Sequence, residues 1–145
     1  RGISYERIKK WNLAERDFLL SLKLNPQAPY VLNYLGYSWL ERKKNLKKAL
    51  HLIKTASEIQ PNDAYITDSL GWAYFLLGEF EISIKILEHA NRMLPSDPTL
   101  NDHLGDAYWE VGRKSEAISQ WKKVLVFNPN KELKRKVERK ISKFQ

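Results

Sequence analysis

Ser69-Leu70-Gly71-Trp72-Ala73-Tyr74 decides how this chain is read, because the phrase returns as His103-Leu104-Gly105-Asp106-Ala107-Tyr108 and is preceded by Tyr34-Leu35-Gly36-Tyr37-Ser38-Trp39. Gly36 to Gly71 is a step of 35 residues, and Gly71 to Gly105 a step of 34. Self-similarity at a period of this length marks a repeat array, in which each unit buries its apolar face only against its neighbours.

The punctuation around the phrase is in register too. A proline follows each glycine: Gly2 leads to Pro26, Gly36 to Pro61, Gly71 to Pro95 and Gly105 to Pro129. Between them stand a small residue (Ala14, Ala49, Ser83, Ala117) and, four positions later, a large apolar one (Phe18, Ile53, Leu87, Trp121). A glycine on one helix opposite a small residue on another lets two backbones approach closely, so each unit is expected to be an antiparallel helix pair. The proline ends the second helix. Asp97-Pro98 restarts the chain with an N-cap and a proline at the first helical position, and Asp63 is placed to cap the third repeat likewise. Gly78 and Gly112 are placed to end first helices as C-caps.

This order of residues resembles the tetratricopeptide repeat (TPR), with its Leu-Gly-x-x-Tyr, Ala-x-x-x-Phe and Pro signature, over nearly the whole chain. The resemblance implies an all-α right-handed superhelix of antiparallel helix pairs, an α-solenoid. The boundaries read as a truncated repeat at 1–26, full repeats at 29–61, 64–95 and 98–129, and a basic capping helix at 131–145. In the truncated repeat Gly2, Tyr5, Ala14 and Phe18 are in register, and Trp11, at the place of Leu46 and Phe80, is expected to pack a turn. The second repeat carries one extra residue near Arg42-Lys43-Lys44-Asn45. Whole phrases look like the C-terminal repeats of long bacterial TPR proteins, most like alpha-proteobacterial ones. Together with a first residue, Arg1, that is not methionine, this suggests a fragment. Localisation is accordingly left between bacterial cell envelope and cytoplasm, with any targeting signal outside the fragment.

At about 100° per residue, Leu35, Trp39, Leu70, Tyr74, Leu104 and Tyr108 share the core arc of the first helices. A second arc is expected to line the concave groove. Its candidate partner-binding residues are Asn33, Tyr34, Tyr37 and Glu41, then Asp68, Trp72 and Phe75, then Asp102, His103, Asp106, Trp109 and Glu110. The arc is aromatic and acidic, within a segment (64–110) that has eight Asp or Glu against two Lys or Arg in a chain of net charge +8. Flat aromatics are strong anchors for a bound segment. The expected partner is therefore another protein, through a segment carrying Lys or Arg and one or two large apolar side chains. Chaperone-binding members of the TPR family hold a carboxylate with Lys, Arg and Asn. Here the matching positions are Tyr34, Ser69 and His103, with Tyr30, Tyr65 and Thr99 at the helix starts, so a carboxylate clamp is not implied.

The basic charge gathers in 42–54 and in 131–145, where seven Lys or Arg face two Glu. In the last stretch Leu133, Val137, Ile141 and Phe144 recur at helical spacing, as a cap needs. Two alternatives to the groove reading follow: electrostatic binding of nucleic acid or an anionic membrane through this helix, or a purely structural array. No aromatic residues alternate with the lysines as a stacking platform, so nucleic acid is disfavoured, and no apolar run is long enough to span a membrane. The uncapped N-terminal end offers an apolar face for self-association. His51, His89 and His103 fall on three different helices, cysteine is absent, and no metal-ligand pair or phosphate loop occurs. No cofactor, metal or catalytic residue is expected, and the chain reads as a non-enzymatic scaffold.

Overall fold

The computed structural model describes residues 5–144, with side chains from residue 9 onward. Gly2 lies outside the described residues. The helices run in chain order: α1 (Tyr5–Leu24), α2 (Pro29–Glu41), α3 (Leu46–Ile59), α4 (Ala64–Leu76), α5 (Phe80–Met93), α6 (Pro98–Glu110), α7 (Lys114–Val126) and α8 (Lys131–Phe144). Among the described residues there is no strand. The pairs α2/α3, α4/α5 and α6/α7 stack in sequence, making an α-solenoid with an aliphatic and aromatic seam along its length.

The close approach inside each pair is visible atom by atom. A Cβ built on Gly36 would stand 2.6 Å from Ile53 Cγ1, one on Gly71 2.6 Å from Leu87 Cγ, and one on Gly105 2.5 Å from Trp121 Nε1. These are the paired large residues of the repeat, and their partners Ala49, Ser83 and Ala117 are fully buried. Ser83 uses its hydroxyl to donate to the Gly71 carbonyl at 2.8 Å, so the one polar member of this series is satisfied inside the seam.

The caps follow the sequence. Asp63 accepts from the Tyr65 and Ile66 amides (2.9 and 3.0 Å), and Asp97 accepts from the Leu100 amide at 2.9 Å. Gly78 and Gly112 both have φ of 84°, and each donates its N–H back into the helix it ends. The second repeat reaches the same turn without glycine: Lys43 (φ 54°) stands in the left-handed position, and the extra residue, Asn45, takes φ 52°.

The first repeat departs from expectation. Instead of a turn packed by Trp11, residues 5–24 form one continuous helix. The place of Gly78 and Gly112 is held by Lys9, five residues before the small residue, as Gly78 is before Ser83. Lysine alone does not abolish the turn, since Lys43 makes it in the second repeat with the extra residue Asn45; the first repeat has neither the glycine nor the extra residue, and the run from Tyr5 to Leu24 contains no Gly or Pro to interrupt it. α1 is fixed to α2 by Glu15, which accepts from Trp39 Nε1 at 3.0 Å and pairs with Arg42 at 2.5 Å. Those partners hold the Glu15 pKa below the ordinary carboxylate value against the opposing effect of burial. Trp11 lies beneath the Arg42 guanidinium, 5.3 Å from the ring centroid.

α8 behaves as the apolar stripe requires. Val137 is fully buried, and Leu133, Ile141 and Phe144 pack against the seam of the last repeat.

Candidate partner-binding groove

The first helices α2, α4 and α6 line one face, and two cavities open on it. The larger, about 620 Å³, is bordered by Trp11, Tyr37, Trp72, Phe75 and His103 and closed at one end by Leu133 and Lys136 of α8. The smaller, about 420 Å³, lies towards the helix starts among Tyr30, Tyr34 and Tyr65. Both are bordered by Tyr37 and Thr99, so they lie side by side.

The candidate residues separate into three groups. Tyr34, Glu41 and Glu110 are exposed, and Tyr37, Trp72, Phe75, Asp106 and Trp109 are half-buried. Asn33, Asp68, Asp102 and His103 are buried. Asn33, Tyr34, Tyr37, Glu41, Asp68, Trp72, Phe75, Asp102, His103 and Asp106 border one or other cavity, whereas Trp109 and Glu110 border neither. Trp109 lies under Phe144 of the capping helix, with ring centroids 4.2 Å apart.

Most of the acid on this face is already engaged by the chain itself. Lys140 Nζ lies 2.7 Å from both Asp102 Oδ1 and Asp106 Oδ1, and Lys136 stands 3.7 Å from Asp102 Oδ2. Asp106 also accepts from Trp121 Nε1 at 3.1 Å. Burial and the neighbouring Asp102 carboxylate nonetheless push the Asp106 pKa up, against the pull of Lys140. Burial alone would lower the Lys140 pKa, but Asp106 and Asp102 outweigh it and raise it.

His103 is the partner of Asp68, Nδ1 to Oδ1 at 2.9 Å. Burial opposes charging of its ring, yet Asp68, Asp102 and Asp106 together lift its pKa above the usual imidazole value. The ring lies flat on Trp72, with centroids 3.9 Å apart and planes 13° off parallel. Trp72 in turn stacks on Phe75 at 4.5 Å and 6°. An aromatic shelf of three rings therefore crosses the groove from α4 to α6. Tyr37 is carried above its ordinary pKa by burial and by Glu41, so it remains a neutral hydroxyl.

Several groove residues were absent from the sequence-derived set. Trp11 enters because α1 is continuous, and Leu133 and Lys136 because α8 folds over the fourth repeat. Tyr30 and Tyr65, which the sequence placed at the helix starts without counting them as candidates, border the smaller cavity as well. Among the described residues no group of three or more His, Cys, Asp or Glu could hold a metal ion.

Stacked helix pairs with glycine-to-small contacts, capped at one end and lined by the first helices on the open face, define an α-solenoid scaffold. Its repeats have the tetratricopeptide-repeat fold. Among relatives, the chain is similar to the anaphase-promoting complex subunit CDC16 of Saccharomyces cerevisiae, 34% identical over 90 residues, which is 58% of this chain and 11% of that one. The match thus spans about a tenth of that relative. Among solved structures, MamA (residues 41 to the end) from Desulfovibrio magneticus RS-1 superposes with a TM-score of 0.71 at 24% identity, covering 84% of this chain and 68% of that one. The first TPR of Spaghetti (RPAP3) bound to an HSP90 peptide, SRMEEVD, superposes with a TM-score of 0.68 at 22% identity, covering 81% of this chain and 92% of that one. No family model matches the chain.

Proposed function

We propose that this chain is a non-catalytic scaffold that holds an extended or helical segment of another protein in the groove of α2, α4 and α6. The observation that carries this reading is the pair of neighbouring cavities that share Tyr37 and Thr99, with the Trp72 and Phe75 rings bordering the larger one. The solved RPAP3 repeat carries a peptide on the same fold, and that peptide, SRMEEVD, is acidic. The present groove presents carboxylates, so its occupant differs in charge.

The binding stretch is centred on repeats two and three, since α8 covers Trp109 and neutralises Asp102 and Asp106 at repeat four. The alternative use of α8 as an electrostatic anchor keeps only its outward lysines and arginines, such as Lys134, Arg135 and Arg139, which are exposed.

The test is selection of binders from a phage-displayed random peptide library, followed by affinity measurement. Peptides selected on the wild-type chain should lose roughly 30-fold in affinity to Trp72→Ala, which removes a central aromatic anchor worth about 2 kcal/mol. They should bind unchanged to the Lys134→Glu, Arg139→Glu variant. Dependence on α8 and indifference to Trp72 would refute the groove.

A further inference from the structure

Three positions lie in the same register, three residues before each repeat glycine: Asn33, Asp68 and Asp102. Two of them receive a cation from the next helix on the same face. Asp68 takes His103 of α6 at 2.9 Å, and Asp102 takes Lys140 of α8 at 2.7 Å. Asn33 does not. The residue of α4 that matches His103 in register is Ser69, a short neutral hydroxyl, and the Asn33 Oδ1 is buried without a hydrogen-bond partner. Asn33 is 5% exposed, so an unpaired acceptor there is costly unless something supplies a donor.

Asn33 belongs to the wall of the 420 Å³ cavity, and no residue bordering that cavity is Lys, Arg or His. Three carboxylates do border it, Asp63, Asp68 and Asp97. Lys43, Lys136 and His103 border the larger cavity; in the recess His103 answers Asp68 from outside the lining, and no cation reaches Asn33. Around the mouth, Tyr30, Tyr34 and Tyr65 are 49%, 56% and 61% exposed. Exposed tyrosines bordering one acidic recess offer aromatic rings to a cation, which the ring quadrupole attracts. An anion is disfavoured, because the Asp63 and Asp97 carboxylates stand at the starts of α4 and α6 and already take the Tyr65, Ile66 and Leu100 amides.

Resting on the groove reading above, we propose that this recess is the specificity pocket for an arginine side chain of the bound segment. Arginine satisfies the recess where lysine does not. Its planar guanidinium stacks on tyrosine faces and spreads five donors towards acceptors on several sides, while an ammonium offers a compact, strongly hydrated point charge. The guanidinium stands for the second repeat as His103 does for the third and Lys140 for the fourth.

The test uses Nα-acetyl-arginine amide, Nα-acetyl-lysine amide and the uncharged isostere Nα-acetyl-citrulline amide, each titrated into isotope-labelled wild-type chain and followed by amide chemical shifts. The arginine probe should give saturable shifts at Tyr34, Tyr65 and Thr99, with the lysine probe at least threefold weaker and citrulline silent. The Tyr34→Ala, Tyr65→Ala variant, whose changes are at exposed side chains, should keep its fold and lose the arginine response. Equal response to citrulline or lysine, shifts that survive in the double variant, or no response at the recess would each overturn the proposal. Peptide binding that depends on Trp72 while the recess ignores arginine would remove this pocket and leave the groove standing. Arginine binding without Trp72-dependent peptides would do the reverse.

Discussion

Lys140 reaches back across the last repeat to Asp102, Nζ to Oδ1 at 2.7 Å, and the carboxylate it meets is 2% exposed. A cationic helix that reads in sequence as a solvated cap is thus also an internal counter-ion for the groove. Lys140→Ala leaves that carboxylate buried with Lys136, 3.7 Å away and half-exposed, as its nearest remaining ion-pair partner. The expected loss is about 3 kcal/mol, the low end for breaking a buried pair, read as a shift in the urea midpoint. Asp102→Asn combined with Lys140→Ala should recover part of it in a double-mutant cycle. A cost of Lys140→Ala under about 0.5 kcal/mol would mean that the pair behaves as a surface ion pair.

Gly105→Ala should destabilise by about 2–3 kcal/mol, since its Cβ would fall 2.5 Å from Trp121 Nε1 and the indole is held under the cap. Gly112→Ala acts differently. Its Cβ meets nothing within 4 Å, so the cost comes only from φ 84°, about 1–2 kcal/mol. Calorimetric unfolding of both variants checks the order.

Lys43→Gly should stabilise the chain by about 1 kcal/mol. Lys43 holds the left-handed place (φ 54°) that Gly78 and Gly112 hold in the next two repeats, and its side chain is exposed, so relief of backbone strain exceeds what glycine costs in entropy. A lower denaturation midpoint for Lys43→Gly would show that the lysine side chain contributes more than its backbone costs.

His103 makes stability depend on pH with a defined sign. Its folded-state pKa is raised, so its contribution is full below the unfolded value of about 6.5 and is lost as pH rises through the folded value. The stability difference between wild type and His103→Gln should therefore be larger at about pH 6 than at about pH 9. A difference that stays constant would place the imidazole neutral beside Asp68.

The caps of α4 and α6, the break before each repeat proline and the close approach at each repeat glycine were all legible in the sequence, because each depends on residues within one repeat. Asp63, Asp97, Gly78 and Gly112 take the caps their types favour. Gly36, Gly71 and Gly105 meet the large side chains 16 or 17 positions on. Even the failure of the turn at α1 had a local trace, Lys9 in place of glycine without the extra residue that the second repeat carries at Asn45.

The groove was legible as a face and not as a charge. Helical periodicity placed Asp68, Asp102, Asp106 and His103 on one arc, where the acids read as free. Which of them remains free depends on contacts between repeats, with His103 reaching Asp68 across 35 residues and Lys140 reaching Asp102 across 38. Those contacts are set by the angle at which one helix pair stacks on the next, a property of the packed seam rather than of any one helix. The sequence by itself determined the repeat, its caps and the arc that faces the groove. Only the tertiary structure decided that α8 neutralises the acid at the fourth repeat and that Asn33 is left with a buried acceptor unpaired, because pairing a charge takes a partner at hydrogen-bond distance, and distance across repeats exists only once they stack.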